Sequence, residues 1–226
     1  MANRTLEPTE FKRGPGGRPT RREAARRHVA LLETATSLFL ERGLDAVTIE
    51  EIAKHAGVAK RFIYARYRDK SELFVAAIEH CFADRLEMLQ AFEPPRRHVK
   101  LGLFQFGRKL LDLALQPDAL ALHRLFVASA PRFPGLAKLF IERNRHRSTG
   151  EVERVLTFYA DRGEIELCHL QIMAEQFFIS VVGIPQRLAL LGIRESPAQE
   201  QRRLRAAVRL FLHGCRVPLR KKRAKA

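Results

Sequence analysis

A stretch whose residue types suit contact with DNA spans residues 48–67, TIEEIAKHAGVAKRFIYARY. Arginine and lysine can donate to guanine edges and phosphates, and tyrosine can offer a hydroxyl to a phosphate. The candidates within the stretch are Lys60, Arg61, Tyr64 and Tyr67. Gly57 separates two short helical patterns, an order typical of a helix-turn-helix whose second helix lies in a major groove. The stretch therefore predicts contact with double-stranded DNA.

Three capping patterns predict where the helices that position these side chains begin. In each pattern, a residue that can cap a helix N-terminus is followed three positions later by a glutamate. The pairs are Thr20 with Glu23, Thr48 with Glu51, and Asp69 with Glu72. Gly43 and Gly57 offer stops after the first two helices. The third capped helix is expected over 71–92, because Pro94 and Pro95 bar its continuation.

The face presented by the second helix of the motif follows from its spacing. This helix should begin near Ala59 or Lys60, which places Ile63 and Tyr67 four residues apart on one side. Arg61 and Tyr64 are left nearer the opposite side. Tyr67 is thus a candidate both for a phosphate contact and for a mainly structural role in the core.

Basic residues also precede the motif. Residues 1–19 combine glycine, proline and basic residues and cannot bury an apolar face, so we expect a flexible basic arm. Arg18, between Gly17 and Pro19, could enter a minor groove, or the arm could be an unstructured leader. Arg21 lies in the first turn of the helix that follows and is a candidate for a phosphate contact.

The remainder of the chain reads as helical, so the predicted fold class is all-α. No strand pattern is present, and Pro117 and Pro197 stand at or near expected helix starts. The expected helices cover about 97–115, 118–130, 135–162, 169–192 and 197–213. With the four before them they make about nine. The predicted organisation is an arm at 1–19, a DNA-binding domain at 20–85, a larger helical domain at 86–215 and a basic tail at 216–226.

The order of motifs TIEEIAKHAGV, KRFIYARYRDKSELF and a long helix resembles the DNA-binding domain of the TetR family of transcriptional regulators, over about residues 20–85. Residues 122–140 resemble a C-terminal domain of one broad TetR subgroup. Two positions depart from the family pattern. Ala59 stands where a capping serine is common, and Phe62 stands where a threonine usually contacts the DNA backbone. Phe62 could instead touch a thymine methyl or pack internally.

The resemblance implies a ligand-responsive repressor that binds a palindromic operator as a homodimer. It implies that the helices near 169–192 and 197–213 pair with those of a second chain, although burial within one chain is the alternative. Thr48 and Lys70 would contact phosphates. A small-molecule effector would shift the linking helix at 71–92 and release the DNA.

A small set of residues is the candidate ligand pocket. Most phenylalanines lie after residue 70, and a cavity that they lined would favour an apolar or aromatic effector. A role in the hydrophobic core is the more common one for each of these side chains. The candidates are Phe104, Arg108, His123, Phe126 and Phe177.

The charge balance leaves a second class of function open. The chain has 41 Lys and Arg against 25 Asp and Glu, a net charge of +16, and residues 216–226 carry six basic residues and no acidic one. A nucleoid-type protein that binds nucleic acid without sequence preference through its basic ends is therefore the alternative. No G-x-S-x-G, P-loop, G-x-G-x-x-G or clustered zinc spacing occurs. We predict no catalytic residue, metal site or cofactor, and hence no enzyme.

Cysteine use and hydropathy indicate the compartment. Cys81, Cys168 and Cys215 are far apart and odd in number, which argues against a disulfide framework. The first two lie among apolar neighbours and are expected to be buried. No apolar run approaches the roughly 20 residues of a membrane span, and the start lacks the apolar core of a signal peptide. A cytoplasmic protein without membrane partners is expected.

Overall fold

A computed structural model describes residues 20–144 and 147–214. The described residues form ten helices and no strand, which confirms the all-α class. The helices are α1 (Arg21–Ala46), α2 (Ile49–His55), α3 (Lys60–Tyr64), α4 (Lys70–Gln90), α5 (Val99–Ala114), α6 (Pro117–Ser129), α7 (Pro134–Asn144), α8 (Arg147–Ala160), α9 (Leu170–Leu190) and α10 (Pro197–Gly214). The count exceeds the predicted nine because the segment expected as one helix at 135–162 contributes both α7 and α8.

Local sequence signals account for the helix boundaries around the motif. The hydroxyl of Thr20 accepts the Glu23 N–H at 3.2 Å at the start of α1. Within α1 the backbone leaves helical geometry at Gly43, where φ is 81°, and the turn after α2 contains Gly57 at φ 63°. Both conformations are left-handed ones that glycine adopts without a steric cost. Gly43 therefore interrupts α1 three residues before its end, and Gly57 follows the end of α2, close to the stops that the sequence predicted.

The first of two compact units comprises residues 20–84 and 121–143 among those described. Its core is apolar and includes an edge-to-face pair, Phe39 and Phe74, with ring centroids 5.2 Å apart. Leu122 of α6 and Leu136 of α7 are buried in the same core. The residues that pack with the N-terminal helices thus include a segment well beyond the domain predicted at 20–85.

The second unit comprises residues 85–120, 144 and 147–214 among those described, with a core from α5, α8, α9 and α10. Phe177 is fully buried and meets Phe211 edge-to-face at 5.1 Å. At Gly107 an added Cβ would lie 2.8 Å from Cδ1 of Leu204. Glycine at this position therefore allows α5 and α10 to approach closely.

One face of α9 is not covered within this unit. Ile172, Ile179 and Ile184 are 55%, 60% and 48% exposed, although the opposite face is buried. On α10, Leu210 is 75% exposed. Exposed apolar side chains on neighbouring long helices are typical of a surface that meets a partner.

Two further expectations concern exposure and hydropathy. Cys168, expected to be buried, is exposed, because it lies in a bend of the loop between α8 and α9. Cys81 is partly buried. In the parts of the chain that the structure describes, no helix is both long and apolar enough to cross a bilayer.

Candidate nucleic-acid interface

The two faces of α3 differ sharply in exposure. Ile63 is fully buried, and Tyr67, just beyond the helix, is 7% exposed. Arg61 is exposed, and Tyr64 is 54% exposed. No side chain caps the helix at Ala59, so its position depends on packing of the buried face. The side chains available to a groove are therefore those opposite the core.

Lys60, at the start of α3, pairs with Glu50 of α2. A hydrogen bond from Lys60 is the main reason that the pKa of Glu50 lies below its ordinary value. Both side chains are more than half exposed, and exposed ion pairs contribute little to stability. Lys60 can therefore exchange this partner for a phosphate or a base edge at small cost.

The start of α2 has a complete capping box. The Thr48 hydroxyl accepts the Glu51 N–H at 3.2 Å, and the Thr48 N–H donates to the Glu51 carboxylate at 2.9 Å. This second bond is the main cause of the lowered pKa of Glu51, and Arg42 adds an ion pair at 3.4 Å. The arrangement fixes the N-terminus of α2 at the surface, at the opposite end of the helix from the turn.

Phe62 lies partly buried against the core of the first unit. The Arg66 guanidinium lies over its ring, 3.9 Å from the centroid, and also donates to the Phe62 carbonyl at 3.0 Å. A stacked and hydrogen-bonded arginine on an aromatic face is a favourable arrangement. Arg66 was not among the sequence candidates, although its spacing of four residues from Phe62, across the end of α3, is the signal that could have found it.

Tyr67 contacts α1 through His28. The tyrosine hydroxyl and His28 Nε2 are 2.5 Å apart, and the rings stack with centroids separated by 6.0 Å. The tyrosine hydroxyl is therefore engaged inside the unit. The geometry gives Tyr67 a structural role that ties the end of the motif to α1.

We expect this contact to make stability depend on pH. Burial is the main cause that lowers the pKa of His28, followed by the charges of Arg66 and His80. A lowered folded-state pKa means that the unfolded chain takes up the proton more readily. The stabilisation is complete above the unfolded pKa of about 6.5 and is lost as pH falls toward the folded-state pKa.

Thermal melts of a His28→Gln variant between about pH 7.5 and 5.5 measure this effect, since glutamine keeps an acceptor but does not titrate. The unchanged chain should lose more stability across this range than the variant does. His213→Gln, at an exposed histidine of α10, is the matched control and should retain the full pH dependence. Equal slopes for His28→Gln and the unchanged chain would contradict the prediction.

The remaining predicted contacts fall at the edges of the motif. Lys70 Nζ donates to the carbonyls of Val47 at 2.9 Å and Asp45 at 3.3 Å, which leaves one ammonium proton for a phosphate. Arg21 is exposed at the start of α1. Arg18 lies outside the described residues.

The candidate ligand residues are divided between the two units. His123 and Phe126 lie in the first, where Phe126 packs on Phe140 at 4.5 Å and burial lowers the pKa of His123. The second unit contains the other three. Arg108 forms ion pairs with Glu200 at 3.0 Å and Asp112 at 3.4 Å. The Arg205 guanidinium lies over the Phe104 ring, and Phe177 packs edge-to-face on Phe211.

The fold and the exposed face of α3 define a helix-turn-helix protein. A family profile described as "AefR-like transcriptional repressor, C-terminal domain" matches residues 102–214, half of the chain. A second, described as "Bacterial regulatory proteins, tetR family", matches residues 31–77. The chain belongs to the TetR family and is a DNA-binding transcriptional regulator rather than an enzyme.

Similar proteins include two regulators of known name. The transcriptional repressor BepR of Brucella suis is 41% identical over 75 residues, which are 33% of this chain and 36% of BepR. The regulator TcmR of Streptomyces glaucescens is 27% identical over 146 residues, which are 63% of each protein. The chain thus spans from about a third to just under two thirds of the length of these relatives.

Solved structures extend the likeness to most of the chain. A TetR-family regulator from Mesorhizobium loti has a TM-score of 0.72 and 26% identity, covering 88% of this chain and all of that one. The "Flavonoid-responsive Regulator FrrA" has a TM-score of 0.69 and 26% identity, covering 86% of this chain and all of that one. Both the N-terminal motif and the helices after it are therefore covered.

Proposed function

We propose that the protein is a ligand-responsive repressor that binds a palindromic operator as a homodimer. The observation that carries the proposal is the exposure of Arg61 and Tyr64 on α3, opposite the buried Ile63. A helix held by its apolar face and basic on the other is suited to the major groove. Named repressors among its relatives, such as BepR, support repression as the direction of control.

The side chains of α3 divide the work of recognition. Arg61 reads a base edge, since a guanidinium can donate two parallel hydrogen bonds to guanine. Tyr64 adds a hydroxyl, and Lys60 leaves Glu50 to contact DNA. Phe62 serves the packing of the motif through Arg66, so the usual contact at its position is absent.

Phosphate contacts surround this reading face. Thr48 and the N-terminus of α2, the remaining proton of Lys70, and Arg21 contact the backbone and set the register of α3 in the groove. Tyr67 contributes indirectly, by fixing the end of the motif against α1. Arg18 in the arm adds a minor-groove contact.

Arg61→Ala tests the reading face. We expect operator binding to weaken by about 1–3 kcal/mol, roughly five- to 150-fold, and specificity to relax at one base pair per half-site. Genome-wide footprinting identifies the operator, and gel-shift titrations with the operator and its single-base variants measure the loss. Lys138→Ala is the matched control, because it removes one charge from a side chain of the same unit that is 78% exposed.

The alternative function, nucleic-acid binding without sequence preference, predicts a different effect of deleting the basic tail. Deletion of residues 217–226 should reduce only nonspecific, salt-sensitive binding if the operator is read by α3. For a nucleoid-type protein the same deletion would abolish binding, and Arg61→Ala would change nothing. The two variants measured on one operator fragment therefore separate the two functions.

Dimerisation uses the exposed face of α9 together with α10. One reading helix covers only a short half-site, so a two-fold pair that reads a palindrome is needed for specificity. Ser180 and Gly183 lie on the same side as Ile179 and Ile184, and small residues there allow a partner helix to approach closely. The apolar exposure on α9 supports this assignment.

The effector is an apolar or aromatic small molecule that binds in the C-terminal helical domain and lowers operator affinity. Phe104 and Phe177 of the second unit supply ring surface there, and Arg108 a polar contact, whereas His123 and Phe126 belong to the first unit and are not part of this site. The name of FrrA, a flavonoid-responsive regulator, supports an aromatic ligand class. A panel of aromatic and of purely anionic small molecules, scored by release of operator DNA, tests this assignment. Release by the anionic compounds alone would contradict it.

A transcriptional regulator must reach the DNA that it controls, so we place the protein in the cytoplasm.

The helix α4 connects the helix-turn-helix motif in sequence to the helices of the proposed ligand and dimer sites. A ligand that favours one position of α4 changes the distance between the two α3 helices of the dimer. A coupling of about 1–3 kcal/mol suffices, because it changes DNA affinity by roughly five- to 150-fold.

A further inference from the structure

The segment that joins α4 to α5 is held in place by α8. Arg154 of α8 donates from one guanidinium nitrogen to three carbonyls at the end of α4 and just beyond it. These acceptors are Leu89 at 3.2 Å, Gln90 at 3.4 Å and Phe92 at 3.0 Å. Carbonyls at a helix C-terminus lack partners within the helix, so a guanidinium there both satisfies and fixes them. The N-terminal half of the connecting segment is therefore rigid.

The other half of the segment is fixed at two more points. The buried Tyr159 hydroxyl donates to the Pro95 carbonyl at 3.1 Å, and burial together with Glu164 raises the pKa of Tyr159 to about 12, which keeps this donor protonated. Glu164 accepts the N–H of Val99, the first residue of α5, at 3.0 Å. Residues 96–98 thus lie between two fixed points, the Pro95 carbonyl bonded to Tyr159 and the Val99 N–H bonded to Glu164.

Arg97, between these two fixed points, has a strained backbone, with φ at 67°. In the described residues it is the one residue other than glycine in the left-handed region. An arginine in this conformation persists only when its surroundings impose it, and such strain is concentrated at functional sites. Glycine would remove the strain at this position.

A cleft of about 490 Å³ opens at this point, lined by Arg96, Arg97, Arg162 and Glu164. Arg162 is exposed and is positioned by Phe158, since its guanidinium lies 3.6 Å from the centroid of the Phe158 ring and donates to the Phe158 carbonyl at 2.8 Å. Among the described residues no ion pair joins Arg96 or Arg97 to a carboxylate. Three cations thus face one carboxylate, which is already bonded to Val99.

We infer that this cleft, the arginine cleft, binds a small dianion such as a phosphate or a polycarboxylate. Guanidinium groups bind carboxylate and phosphate in pairs of parallel hydrogen bonds, and the volume lies in the range of small-molecule sites. The charge of the lining separates this site from the apolar ligand surface of the proposed function. The inference is independent of that function, since its readout is anion binding without DNA.

Calorimetric titration of the full chain with inorganic phosphate and with citrate, at ionic strength held constant with sodium chloride, tests the inference. We expect one saturable site per chain and a loss of affinity of about tenfold or more in Arg96→Gln/Arg162→Gln. Arg202→Gln/Arg209→Gln, which removes the same charge from exposed positions of α10, is the control and should bind as the unchanged chain does. Equal loss in both double variants, or no saturable binding, would overturn the inference.

Arg97→Gly separates a ligand role from a structural one. Because glycine tolerates φ near 67°, this variant should melt at the same temperature as the unchanged chain or higher. Its affinity for phosphate and citrate should nevertheless fall severalfold, since one of three guanidinium groups is gone. Unchanged anion affinity in a stable Arg97→Gly variant would overturn the inference.

Discussion

A chain carrying Ile179→Glu is expected to be monomeric and to bind a full operator about 10²–10⁴ times more weakly than the unchanged chain does. The exposed side chain of Ile179 lies mid-way along the apolar face of α9. In the proposed dimer a glutamate there would be buried near its counterpart, and burying unpaired like charges is strongly unfavourable. A monomer loses the gain in effective concentration that a second, linked half-site provides.

The measurement pairs analytical ultracentrifugation with gel-shift titration on full and half operators. Leu101→Glu is the matched control, because Leu101 lies in the same unit and is 48% exposed on α5. The control should remain dimeric, and both variants should bind an isolated half-site equally weakly. If Ile179→Glu sediments as a dimer and Leu101→Glu does not, α5 rather than α9 carries the interface.

Gly102→Ala is expected to destabilise the second unit by about 3 kcal/mol, the upper end of the usual cost of overpacking. A Cβ at this position would lie 1.7 Å from the Tyr159 hydroxyl oxygen and 2.7 Å from its Cζ atom. The ring cannot move away freely, because Tyr159 is fully buried and its hydroxyl is bonded to the Pro95 carbonyl. Thermal and urea unfolding measure the loss.

Gly150→Ala is the control for helix propensity in this experiment. Gly150 lies within α8 of the same unit, and apart from its chain neighbours and the nearby backbone of α8 itself no atom lies within 4 Å of an added Cβ. Alanine should therefore stabilise the helix by about 0.5–1 kcal/mol. A double variant, Gly102→Ala/Tyr159→Leu, should lose less than the sum of its single changes, because the leucine removes the clashing atoms. Strict additivity would show that the ring is not the obstacle.

The N-terminal motif could be predicted in detail because its signals are local. Caps at Thr20 and Thr48, the left-handed glycines Gly43 and Gly57, and a stripe of apolar residues each act within a few positions of chain. Such short-range preferences determine helix boundaries wherever they agree with one another. The exposure of Arg61 and the burial of Ile63 followed from helical periodicity alone.

The candidate site was less predictable, because the partner of a polar side chain depends on which elements meet. Nothing in the sequence pairs His28 with Tyr67, or Lys70 with the carbonyls of Asp45 and Val47. These contacts cross 23 to 39 residues of chain. They engage the Tyr67 hydroxyl and two of the three Lys70 ammonium protons within the first unit.

The sequence alone therefore determined that residues 48–67 form a helix-turn-helix motif, since their types and spacing already specify a basic helix with one apolar face. Tertiary packing decided which of those side chains remain available to DNA. Phe62 packs against the core beneath Arg66, Tyr67 bonds to His28, and Arg61 and Tyr64 stay exposed. The physical reason is that helical periodicity assigns each residue a direction, whereas a polar atom's partner exists only once distant helices have packed together.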